Sequence, residues 1–117
     1  MRKVYYLSTC DTCKRIISDL DLKSKNFEFQ DIKKEAITAD QIDHMKSLSG
    51  SFESLFSRIA RKYKILGLKD QVLAESDYRN YILEEYTFLK RPVIIVDNQI
   101  FVGNSKKNVE AARDFIG

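Results

Sequence analysis

The sequence predicts an α/β domain in which strand-forming segments at the two ends are separated by a helical block. Three observations carry this. "KVYYL" near the start and "VIIVDNQIFVG" near the end are the β-branched and aromatic runs that form buried strands. "TCKRIISDLDL" links the first run to "NFEFQDI" through apolar residues at helical spacing. Between Thr38 and Lys90 the pattern is helical throughout. With 117 residues, 44% of them hydrophobic and 32% charged, the chain has the size and composition of one soluble core.

The first strand is expected over Lys3 to Leu7. A helix follows from Thr12, with Ile16, Ile17, Leu20 and Leu22 on its apolar side and Asp11 and Thr12 available to satisfy its first free amides. Asn26 to Ile32 is short enough for a second strand, and a strand-helix-strand unit places its two strands parallel in one sheet. In the middle block, Thr38 and Asp40 act as caps for a helix carrying Ile42, Met45 and Leu48 and ending near Gly50. "SFESLFSRIARKYKILG" reads as a second helix with Phe52, Leu55, Phe56 and Ile59 on one face and Gly67 as its latest stop. Ser76 or Asp77 then caps a third, bearing Tyr78, Tyr81, Ile82 and Tyr86. After Pro92, two apolar runs flank Asp97-Asn98, which signals a hairpin. Val109, Ala112 and Phe115 recur at helical steps in a last helix that covers the sheet. The order βαβ, helices, ββα is that of a thioredoxin-like fold with a mixed four-stranded sheet: one domain over residues 1–117, with a helical insertion at about 38–90.

The formal charge is +3, from 20 basic and 17 acidic residues, too small an excess to announce a nucleic-acid binder. The densest basic stretch is Arg58 to Lys64, for which a solvated helix face is the simplest account. No apolar run approaches the ~20 residues of a membrane-spanning helix, and the start lacks the apolar centre of a signal peptide. A cytoplasmic monomer without membrane contact is the expectation.

The chemistry concentrates in "LSTCDTCKR", which holds the only two cysteines, Cys10 and Cys13. In a reducing compartment such a pair points to redox, catalytic or metal chemistry in preference to a permanent bridge. A thiolate is the reactive form, and a helix N-terminus favours it through free amides and aligned peptide dipoles. Cys10 and Cys13 straddle such a terminus. Residues i and i+3 share a helix side, so Cys13 stands ready to attack whatever Cys10 has captured. Cys10 is thus the expected nucleophile and Cys13 the resolving thiol, with Lys14 and Arg15 adding positive potential. Two alternatives stand beside this reading. A structural zinc takes four ligands, and one CxxC with a single histidine, His44, does not supply them, so no metal is expected. Two inert cysteines packed as small apolar groups would also fit the spacing. His44 lies in a charged stretch and reads as a surface residue. Pro92, the sole proline, stands at a strand start.

The cysteine directly after the first strand, Ser57-Arg58 in the helical insertion and "RPVIIVDNQIFVG" together resemble the family that joins glutaredoxin-coupled arsenate reductases (ArsC) to the Spx regulators. The similarity spans essentially the whole chain. It implies a thioredoxin-like fold in which Pro92 is cis and lies against the catalytic thiol, with Arg91 beside it. It further implies that Cys10 attacks an oxyanion such as arsenate or a glutathione-linked disulfide. Arg91 and Arg58 would hold the oxyanion, a task suited to forked guanidinium donors; Arg61 shares nearly the same helical face as Arg58 and could replace it. Glutathione with glutaredoxin, or thioredoxin, is the implied electron donor, and no bound cofactor is expected. The chain departs from the reductases in two places. It has Tyr6 to Thr9 where they carry His-Asn-Pro, and Gly103 stands about where they place a further arginine. In those features it is similar to Spx, whose CxxC is a redox switch and whose partner is the RNA polymerase α subunit.

Overall fold

The computed structural model describes residues 1–117. In chain order its regular elements are β1 (Arg2–Tyr6), α1 (Asp11–Asp19), β2 (Glu28–Asp31), α2 (Ala39–Ser49), α3 (Arg61–Ile65), α4 (Glu75–Glu84), β3 (Val93–Val96), β4 (Gln99–Val102) and α5 (Lys106–Ile116). Single 3-10 turns lie at Leu22–Ser24, Glu53–Leu55, Leu68–Asp70 and Tyr86–Phe88. The chain divides into two compact units, one made of residues 1–35 and 91–117, the other of residues 36–90.

The first unit is built on a sheet of order β2-β1-β3-β4. β1 and β2 run parallel, with Val4 opposite Phe29, while β3 is antiparallel to both β1 and β4. The mixed four-stranded sheet and its βαβ and ββα halves are those of the thioredoxin-like class. One face places Val4, Ile94, Val96 and Phe101 against Ile16, Ile17 and Leu20 of α1 and Ala112 of α5. Each fully buried aliphatic side chain contributes roughly 1.5–3 kcal/mol. Helical spacing of Ile16, Ile17 and Leu20 is therefore sufficient reason for α1 to lie on the sheet. At the end of α5, Ile116 packs on this core while Phe115, expected to face inward, is half exposed and only rests its ring 5.9 Å from that of Phe101. The hairpin turn places Asp97 at φ +53°, and its carboxylate accepts a hydrogen bond from the N-terminal amine at 2.8 Å.

In the second unit, α2 starts on a capping box in which Thr38 Oγ1 accepts the Gln41 N–H and Gln41 Oε1 accepts the Thr38 N–H. Gly50 closes it at φ +99°, where a side chain would be strained. The helix expected across residues 51–67 is instead a 3-10 turn, an extended stretch and the short α3. Phe56 is extended at φ −86°, ψ 128° and bridges Leu89, while Ser57 N–H donates to the Phe88 carbonyl and Lys90 N–H to that of Leu55. Those long-range pairings consume the backbone groups a continuous helix needs, and Ile59, expected on the buried face, is 92% exposed. Phe56 becomes the hub of an aromatic cluster, stacked on Phe88 at 5.0 Å and edge-on to Tyr78 at 4.9 Å. The third helix begins earlier than expected: Ala74 is its N-cap, and Asp77, inside the first turn, accepts the Ala74 N–H at 2.8 Å.

Candidate active site

β1 gives way at Leu7 to a turn through Ser8 and Thr9 that closes when Cys10 N–H donates to the Leu7 carbonyl at 2.9 Å. Asp31, at the end of β2, steadies this turn by accepting the Ser8 N–H at 3.3 Å and the Lys33 N–H at 3.2 Å. Cys10 is itself the N-cap of α1, with extended backbone at φ −100°, ψ 109°. Neither Asp11 nor Thr12 caps the helix as the sequence suggested, since neither precedes its first turn. Cys10 holds the N-cap position without a side-chain capping hydrogen bond, and the free amides of Thr12 and Cys13 in the first turn favour a negative charge on its sulfur.

Three influences set the state of Cys10. Partial burial opposes the anion. The backbone N–H groups of Cys13 and Thr12, the Cys13 thiol and the positive charge of Arg91 favour it, outweigh the burial and hold Cys10 below the ordinary thiol range. Cys13, fully buried one turn on, behaves oppositely: burial pushes it up to about 11, reinforced by its hydrogen bond to Cys10 and by that sulfur's charge. The two sulfurs are thus pushed in opposite directions, Cys10 toward the thiolate and Cys13 toward the protonated thiol. The two sulfurs are not bonded to each other.

The Arg91-Pro92 peptide bond is cis, and Pro92 is buried. The Pro92 carbonyl accepts the Gly103 N–H at 2.9 Å, and the Gly103 carbonyl accepts Asn108 Nδ2 at 2.9 Å. Gly103 sits at φ +94°, a conformation that excludes an unstrained arginine there. Asp31 and Asn108 escape sequence reasoning, whereas Gly103 is marked there only by the arginine it replaces.

The first unit therefore brings together Cys10, Cys13, Arg91 and Pro92. Arg58 belongs to the second unit, where Nη2 donates to Glu53 Oε2 at 2.7 Å and to the Tyr78 hydroxyl at 3.1 Å. The Glu53 hydrogen bond raises its pKa further. Arg61, its expected alternate, opens α3 and is exposed. His44 is half-buried in α2 and not a plain surface residue. No group of three or more His, Cys, Asp or Glu side chains is placed to hold a metal ion, and no helix is long and apolar enough to cross a membrane.

A four-stranded mixed sheet with βαβ and ββα halves, a cysteine at the N-cap of α1 and a cis-proline just before β3 define the thioredoxin-like class. Within that class the ArsC family model matches residues 5–112, and the chain belongs to the ArsC family. Among solved structures it is similar to an ArsC-related protein from Brucella melitensis at 28% identity, covering 94% of this chain and 92% of that one with a TM-score of 0.71. The Staphylococcus aureus protein SACOL0876 is 24% identical, covers 95% and 97% of the two chains and has a TM-score of 0.76. Arsenate reductase from Vibrio cholerae shares the fold at a TM-score of 0.79 over 94% and 95% of the chains, with 14% identity. No curated protein matches the chain in sequence.

Proposed function

We propose that the protein is a cytoplasmic thiol-disulfide oxidoreductase in which Cys10 is the nucleophile and Cys13 resolves. The carrying observation is the position of Cys10 at the N-cap of α1, where the first-turn amides of Thr12 and Cys13 and the charge of Arg91 favour the anion of its sulfur. The thiolate attacks one sulfur of a substrate disulfide; that bond breaks, a Cys10 mixed disulfide forms and the other half leaves as a thiolate. Cys13 then loses its proton and attacks the Cys10 sulfur, releasing the second half as a thiol and leaving a Cys10-Cys13 disulfide. Two protein thiols are oxidised and one disulfide reduced. A glutathione-linked disulfide is the substrate class, and glutathione with glutaredoxin, or thioredoxin, supplies the electrons that restore the dithiol.

An oxyanion such as arsenate is the less favoured substrate. Arg91 would be one of its ligands, but Arg58 is engaged by Glu53 within the second unit, and Gly103 stands where the resembling reductases place an arginine. Purified protein supplied with NADPH, glutathione reductase, glutathione and glutaredoxin should consume NADPH on a glutathione mixed disulfide faster than glutaredoxin alone and lose that increment in Cys10→Ser. No increment with either glutaredoxin or thioredoxin as donor would rule the enzyme reading out.

A second reading, a redox-responsive partner of the RNA polymerase α subunit, draws on a different feature. Residues 58–72 expose Ile59, Ile65, Leu66 and Val72 among Arg61, Lys64 and Lys69, a surface suited to an acidic protein partner. Pull-down of the α subunit that depends on the Cys10-Cys13 disulfide and is lost in Arg61→Glu would favour it over the enzyme.

A further inference from the structure

A cleft of about 630 Å³ opens in the first unit between α1 and the β1-β2 side of the sheet, within the volume range of small-molecule sites. Its apolar base is made by Ile17 and by the rings of Tyr6 and Phe29, which meet edge to face at 6.0 Å. Its polar rim carries two ammonium groups, Lys14 and Lys23, and one carboxylate, Asp21. Asp21 Oδ2 accepts the Ser24 hydroxyl at 2.6 Å and keeps its charge, and Lys14 Nζ stands 4.0 Å from Asp11 Oδ1, so Lys23 is the lining cation without an acidic partner.

The cleft lies along one side of α1, beyond Cys10, which is not among its lining residues. Lys14, Ile17 and Ser18 follow Cys10 at i+4, i+7 and i+8, which places them in a single stripe headed by the nucleophile. At ~1.5 Å per residue the stripe extends about 12 Å from Cys10 to Ser18, the reach of a small peptidic tail. Ser8, in the turn that precedes the thiol, lines the near end. The arrangement matches a molecule whose sulfur reacts at Cys10 and whose body has an apolar stem and carboxylates: the stem lies on Tyr6, Ile17 and Phe29, and the carboxylates meet Lys14 and Lys23.

We propose that this cleft is the subsite for the carboxylate-bearing tail of a low-molecular-weight thiol or disulfide, an assignment that deepens the oxidoreductase reading and rests on it. Lys23, exposed and beyond the end of α1, is the residue that reads the far carboxylate. It belongs to recognition, not to the ionisation of Cys10.

The test compares oxidised glutathione, which is anionic, with cystamine, which is cationic, in a Cys13→Ser background that traps the mixed disulfide for mass analysis. Lys23→Glu should lower the ratio of the glutathione to the cystamine rate about tenfold, the scale of one charge-assisted contact. Lys107→Glu, the same charge change on exposed α5 outside the cleft, should shift it less than about twofold. An equal change in both variants, or none in Lys23→Glu, overturns the subsite. Titration with S-methylglutathione, which cannot react, supplies an independent readout: amide shifts at Ser18, Lys23 and Phe29 support the cleft, whereas shifts confined to Pro92 and Gly103 overturn it. Failure of Cys10 to react with either disulfide while S-methylglutathione still moves the cleft amides would instead count against the oxidoreductase reading alone.

Discussion

The two arginines expected to serve one anion site, Arg91 in the first unit and Arg58 in the second, sit in opposite electrostatic situations. The charge of Arg91 acts on both cysteines and favours their anions. That of Arg58 is engaged by Glu53 at 2.7 Å and by the face of the Tyr78 ring, 5.7 Å from its guanidinium carbon. The same residue type is therefore a tuner of a thiol in one place and a brace between 3-10 turn and helix in the other. The contrast extends to the units around them. The first unit poises its sulfur with backbone amides, a helix start and a proline loop, whereas the second organises itself around aromatic rings and side-chain ion pairs.

The sharpest way to break this comparison is Cys10→Ser, which should remove reaction with disulfides entirely, a loss of at least ~1,000-fold given the weak nucleophilicity of a serine without a base; persistence of activity would move the nucleophile elsewhere. Next in size, Phe56→Ala removes the aromatic hub of the second unit and should cost about 3–5 kcal/mol in denaturant unfolding. At temperatures where that variant stays folded, the pH profile of Cys10 alkylation should be unchanged, because every group that tunes the thiol lies in the first unit.

Arg91→Gln should move the alkylation midpoint of Cys10 upward, toward the ~8.5 of a free thiol, and slow alkylation at neutral pH several-fold. Arg58→Ala should leave that midpoint in place, and a shift in Arg58→Ala equal to that in Arg91→Gln would erase the distinction between the two arginines. The pH dependence of stability carries the same sign. A thiol depressed in the folded state binds fewer protons there than in the unfolded chain, so its contribution is complete above ~8.5 and fades as pH falls through the folded value. Relative to Cys10→Ser, the native chain should therefore gain stability as pH rises toward 8.5. Between that point and about 11 the raised Cys13 acts oppositely, since the unfolded thiol ionises while the buried one stays protonated. Smallest is Gly103→Ala: forcing a Cβ into φ +94° should cost roughly 1–2 kcal/mol and loosen the Pro92 carbonyl contact, measurable as faster exchange of the Gly103-position amide.

Much of the first unit was legible in the chain because its signals are local. "KVYYL", the apolar spacing of Ile16 and Ile17, and the run before and after Asp97-Asn98 each specify an element with information carried inside it, and the CxxC marks its own place at a helix start. The second unit was misread where distant backbone competes with local pattern. Phe52, Leu55, Phe56 and Ile59 have helical periodicity, yet the pairing of residues 55–57 with 88–90 takes their amides and carbonyls, and no local pattern reports a partner more than thirty positions away.

The site divides along the same line. Sequence alone determined that two sulfurs meet at the start of a helix, since spacing and helix geometry require it. Only tertiary structure decided which groups set their protonation: the place of Cys10 at the N-cap in preference to Asp11 or Thr12, the influence of Arg91 from more than eighty residues later, and the bracing of Pro92 by Gly103. Electrostatic tuning acts through space at a few ångströms, and the chain order of residues carries no record of which charges will come that close.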